Sequence, residues 1–327
     1  SGVSATNFHT HLTAVTPAVA GLEVKVVEAG SRLQVMNRTG KDIVVLGYKD
    51  EPYLRIGPDG VFQNKLSPAT YINQTRQGRQ PPDSANKAKV GDTDWEKISS
   101  DPVARWHDHR IHWMSSANPG PVQASPGQRH VINPEWVVTL KQGPGTIAVK
   151  GDLVWEPGSS ALPWYGLIVA LVALVVVLAR RATWAPALAA VTAVLVAVDI
   201  FHAVGLGLAN AGGLGERLAK SITQSPFSVL GWAAGVLAIV WLLRGRSDGL
   251  SAAALAGLLV ALLGGVSDAT ALSRSEVPFG FGAGAARLAI AASIGLGFGL
   301  ALAAALRLSG VVGPARARKE TPELQTA

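Results

Sequence analysis

Five apolar stretches constrain this chain more than anything else in it: residues 164–179, 184–208, 226–243, 250–272 and 283–306, all dominated by Ala, Val, Leu and Gly. Crossing a bilayer as a helix takes about 20 apolar residues. The first stretch is short but extends back through Leu162, and the second and fifth have length to spare for tilt. The remainder is different in kind. Residues 1–160 hold nearly all the Asp, Glu, Lys, His, Asn and Gln, and the change comes at Pro157-Gly158-Ser159-Ser160, a small-residue hinge. The sequence therefore predicts a domain over 1–160, a transmembrane bundle over 161–312 and a tail over 313–327.

Orientation follows from Lys and Arg in the short connections, because cytoplasmic loops carry the excess. With the N-terminal domain outside, Arg180, Arg181, Arg244, Arg246, Arg307, Arg316, Arg318 and Lys319 face the cytoplasm, against Arg217, Lys220 and Arg274 outside. Eight cations against three predict a multi-pass cell-membrane protein with an extracellular or periplasmic N-terminal domain and a cytoplasmic C-terminus. Trp164, Tyr165 and Trp184 fall at the expected interfaces. The net charge of +7 is thus a topology signal, with the bilayer and not nucleic acid as partner. Numbering from Ser1 reads as a mature chain after loss of a signal peptide, with a tag remnant or truncation as the alternative. The absence of Cys leaves the exported domain to its core alone and excludes thiolate-bound zinc, iron–sulfur and blue-copper centres.

Residues 1–160 alternate apolar and polar at the strand period. Leu22, Val24 and Val26 lead to a turn at Ala29-Gly30, and Leu33 and Val35 to one at Asn37–Gly40. Residues 43–46, 52–56, 61–62, 136–140 and 147–155 read as further strands, and 75–97 as a long polar surface loop. Short strands with frequent turns predict an all-β sandwich, cupredoxin- or immunoglobulin-like, ahead of an all-α five-helix bundle.

Six of the seven histidines lie in this first part. His107, His109 and His112 occur in Trp106-His107-Asp108-His109-Arg110-Ile111-His112-Trp113-Met114, and His9 and His11 sit near the start. An H-x-H pair on a strand points both rings to one side, as two ligands of one metal require. On a regular strand His112 faces the other way and joins only through a bulge or turn. Imidazoles without thiolate suit Cu(II) or Zn(II), and the Met114 thioether adds tolerance for Cu(I), so copper is the favoured metal. The alternative is a hydrogen-bonded structural strand with Trp106 and Trp113 in the core.

In the bundle, Asp199, His202, Asp268 and Arg287 are ionisable groups where such groups are costly and usually paired or functional. Asp199 and His202 share a helix face, and an Asp268–Arg287 pair is expected across the last hairpin. These residues read either as packing contacts or as an ion or proton entry site. No GxSxG, HExxH or phosphate loop is present, so catalysis is not expected.

Trp106-His107-Asp108-His109 followed by Met114 resembles the W-H-x-H…M stretch of the cupredoxin-like exported subunit of copper membrane monooxygenases. That resemblance implies copper on His107 and His109, with His9 or His11 as third ligand. The chain departs from it in beginning at Ser1 instead of His and in carrying five helices where a second cupredoxin domain would follow. The order of exported β domain and membrane bundle also resembles copper-resistance proteins of the CopC and CopD kind, implying capture outside and delivery inward, with Asp199 and His202 receiving. Residue usage is similar to that of actinobacterial membrane proteins. Two functions stand: copper homeostasis or delivery, and a non-catalytic accessory or assembly subunit working with other membrane subunits or a second copy of itself.

Overall fold

Alternation at period two becomes ten strands in a computed structural model that describes residues 4–75 and 78–311. Ser1 and the tail 313–327 lie outside the described residues. The strands are β1 (Phe8–Thr16), β2 (Leu22–Val27), β3 (Arg32–Asn37), β4 (Ile43–Leu46), β5 (Pro52–Gly57), β6 (Gly60–Asn64), β7 (Trp95–Ser99), β8 (Val103–His107), β9 (His130–Gln142) and β10 (Gly145–Trp155). All pairings are antiparallel, giving a seven-stranded sheet in the order β1-β10-β9-β4-β5-β6-β7 and a three-stranded sheet β2-β3-β8.

The inward residues of both sheets meet in one core. Leu33 and Val35 of the smaller sheet pack with Ile43, Ile56, Val138, Leu140 and Val149 of the larger, and Trp106 and Trp136 belong to the same cluster. Each such side chain contributes about 1.5–3 kcal/mol by leaving water. Short helices α1 (Pro68–Ile72), α2 (Asp83–Lys87) and α3 (Gly120–Ala124) interrupt the connections. The expected loop 75–97 is therefore not wholly irregular: it contains α2 and the start of β7.

Five helices are long and apolar enough to cross a membrane: α4 (Leu162–Ala179), α5 (Trp184–Leu208), α7 (Pro226–Leu243), the Gly249–Leu272 span and α9 (Ala283–Leu308). The Gly249–Leu272 span is regular only over α8 (Gly249–Leu259), then passes through a π-helical turn, Val260–Gly265, and a 3₁₀ stretch, Val266–Leu272. Helix α9 is buried along most of its length, whereas α4 turns Val169, Leu174 and Val177 outward. At Gly257 and Gly297 the backbones of α8 and α9 touch: a Cβ on either would strike the other's carbonyl. Small residues permit this approach in a medium where hydrophobicity does not drive helices together.

The two compact units of the chain do not follow the sequence blocks. One takes the β domain through Ala161 together with Val204–Gln224 and Thr270–Arg287; the other takes Leu162–Ala203, Ser225–Ala269 and residues from 288 onward. Two connections between spans thus fold with the β domain. The first carries α6 (Leu214–Thr223), whose Leu214, Leu218 and Ile222 are exposed at fourfold spacing. Its polar side is held down by a Glu216–Arg105 ion pair at 3.7 Å and by Arg217 donating to the Leu208 carbonyl. The second connection pairs with the residues ahead of β1 through an isolated antiparallel bridge, Thr6 to Glu276, with N–H to O distances of 2.9 and 2.8 Å.

Candidate functional site

The histidine run leaves its strand early. β8 ends at His107, and the chain turns at once because Asp108 and Arg110 bind each other. Asp108 is fully buried and accepts from the Arg110 guanidinium at 2.8 and 2.7 Å, from the Arg110 backbone N–H at 3.1 Å and from Trp106 Nε1 at 2.9 Å. Arg110 also donates to the carbonyls of Leu46 and Gly47 and lies over the Tyr48 ring. The Tyr48 hydroxyl accepts from the His109 backbone N–H at 3.0 Å and donates to Asn73. Burial, with the Asp108 charge second, holds the Tyr48 phenol well above its ordinary range.

This turn corrects the strand geometry expected for His107 and His109, and it brings His112 inward. The His112 ring stacks on His109 at 5.5 Å between centroids and lies 6.5 Å from His107. The three imidazoles are neighbours, and nitrogens of two of them, His107 and His109, already serve the fold. His107 Nδ1 lies 3.0 Å from the Ser31 carbonyl, and its Nε2 accepts from Arg32 Nε at 3.2 Å. His109 Nε2 lies 3.2 Å from the Thr75 carbonyl. Burial, reinforced by the Arg32 charge, pushes the His107 imidazole below its usual value, which favours its neutral form. Met114 lies exposed beyond the turn. Among the described residues no three His, Asp or Glu side chains converge as a metal requires.

His9 and His11 do alternate on β1 as a pair, with rings 6.3 Å apart. Each, however, faces carboxylates. His11 Nδ1 meets Asp152 at 2.7 Å, and His9 lies between Glu276 at 3.0 Å and Glu156 at 3.8 Å, with Ser275 Oγ 2.9 Å from Nε2. Asn7 completes this clasp: its Oδ1 accepts from the Ser275 backbone N–H, and its carbonyl accepts from the Glu156 N–H, both at 2.9 Å. His9 thus fastens β1 to the connection after residue 270.

Of the ionisable groups in the spans, Asp199, His202 and Asp268 gather in one compact unit. Asp199 is 1% exposed and accepts from Trp232 Nε1 at 2.7 Å. His202 Nε2 lies 3.6 Å from Asp268 Oδ2. Asp268 thus takes His202 as partner where Arg287 was expected, because the 3₁₀ stretch turns it toward α5. Arg287 instead donates to the carbonyls of Ala271 and Arg274 at 3.2 and 2.6 Å, tying down the end of that stretch.

Sequence reading missed the clasp and α6. Nothing local marks Thr6 or Asn7 for Ser275 and Glu276. The fourfold spacing of Leu214, Leu218 and Ile222 against Glu216, Arg217 and Lys220 was a usable signal for α6. Comparisons with protein-family models, curated proteins and solved structures each return no match.

Proposed function

We propose that this chain is a non-catalytic subunit of a membrane assembly, its exported β domain docking a second membrane subunit or another copy of itself. The observation that supports this most is the folding of Val204–Gln224 and Thr270–Arg287 with the β domain. The chain crosses between its two units five times, and two connections between spans belong to the β unit. The histidines on β1 and at the end of β8 are engaged in holding the fold, as a scaffold requires. The count of eight cytoplasmic against three outer cations supports an exported N-terminal domain and a cytoplasmic C-terminus. Two antiparallel sheets around one core support the sandwich reading, with cupredoxin- or immunoglobulin-like kinship as part of the same proposal. Full-length protein extracted gently from its own membranes and weighed by light scattering should run as an assembly of fixed stoichiometry. A lone monomer would end this reading.

A second reading, copper handling, draws on the closeness of His107, His109 and His112. It requires His107 to give up Arg32 and the His109 and His112 rings to unstack. Stoichiometric Cu(II) uptake by the full chain, lost in the His107→Ala/His109→Ala variant, would support it. Unchanged uptake in that variant, or none in the parent, would dismiss it.

A further inference from the structure

Asp199 is the most enclosed carboxylate of the apolar spans, and only one of its oxygens is served. Oδ2 accepts from Trp232, and Ser228, one turn earlier on α7, also interacts with the group. Oδ1 is buried and makes no hydrogen bond among the described residues. It points at Gly264, where a Cβ would collide with it, so glycine provides the space this oxygen occupies. Gly264 belongs to the π-helical turn, and the 3₁₀ stretch that follows carries Asp268 toward the same region. Such interruptions of the regular helix often mark functional sites. Asp268 is half-buried and faces His202, which stands three residues after Asp199 on α5. A buried carboxylate oxygen without a hydrogen bond in an apolar bundle is served either by a proton or by a bound cation.

We propose that Asp199 and Asp268 bind one small monovalent cation, with Asp199 Oδ1 as the inner ligand and the half-buried Asp268 as the point of entry. The chemistry favours sodium over a transition metal. No three His, Asp or Glu side chains converge here, as a divalent site of that kind needs, among the described residues. Hard monovalent ions accept carboxylate oxygen together with backbone carbonyls of interrupted helices, and Asp199 Oδ1 faces such an interruption at Gly264. This site is independent of the docking role: it lies wholly in the helical unit and requires no partner.

The test is thermal unfolding of the full chain in detergent, in NaCl, LiCl, KCl or choline chloride at equal ionic strength and pH. Sodium should raise Tm saturably above choline, and Asp199→Asn should abolish that rise while keeping an acceptor for Trp232. Gly264→Ala, which intrudes on Oδ1, should weaken it at least tenfold in apparent affinity, and it carries the test if Asp199→Asn does not fold. Trp232→Phe should keep the rise but lose any sodium-dependent change in tryptophan fluorescence. Equal Tm in all four salts would overturn the site. So would a response to pH or Zn(II) alone, or a sodium shift that persists in both Asp199→Asn and Gly264→Ala.

Discussion

Asp108 accepts from Trp106 and from the backbone and guanidinium of Arg110, so its removal would leave a largely enclosed guanidinium without its counter-charge. Breaking one side of such a pair costs about 3–5 kcal/mol. Asp108→Asn keeps the shape and should lie near the lower end, read as a marked fall in Tm of the full chain. His107 gives a pH signature. Its folded imidazole titrates below the ordinary value of 6.5, so the neutral form is favoured on folding. The stability it contributes is complete above that value and is lost as pH falls toward the folded value. Between pH 7 and 5 the protein should lose stability, and His107→Gln should flatten that slope. The sequence showed which residues carry chemistry in this run but not how they are held. H-x-H spacing implies a strand, while the Asp108–Arg110 pair that ends the strand depends on distant partners at Leu46, Gly47 and Tyr48.

Elements were read most surely where a physical length sets them. The bilayer demands long apolar runs, so the spans were legible to within a few residues, and so were the strands with clean alternation. β1 was harder, since Phe8–Thr16 mixes Thr and His with its apolar residues and gains its strand form by pairing with β10. The break in the Gly249–Leu272 span was also hidden, because Gly264-Gly265 is ordinary in a membrane helix. Helix α6 joins two membrane spans by short connections and exposes Leu214, Leu218 and Ile222 while its polar residues are bound. The pattern predicts an α6 that lies at a membrane surface. The absence of Cys allows single-site labelling. A fluorophore on Leu218→Cys in lipid nanodiscs should be quenched by lipid-borne quenchers, and one on Lys220→Cys should be quenched much less. Equal quenching at both sites would contradict an interfacial α6.

For the whole molecule, the decisive contacts join residues far apart in the chain. Thr6 pairs with Glu276, Asn7 with Ser275, and His9 faces Glu156 and Glu276. No local pattern announces these partners, because each is satisfied only once strand, hinge and the connection after residue 270 have met. They make the β domain and the two connections one folded unit, which is the observation behind the proposed scaffold role. In an antiparallel pair that exchanges both hydrogen bonds, the Cα atoms stand about 5.5 Å apart, within the range a disulfide spans. In this Cys-free chain, the variant Thr6→Cys/Glu276→Cys should form an intramolecular disulfide under mild oxidation, in high yield, in native membranes. A protease cut between the two positions should then leave the fragments linked until reductant is added. Fragments that separate without reductant, at the level of either single-cysteine control, would contradict the account.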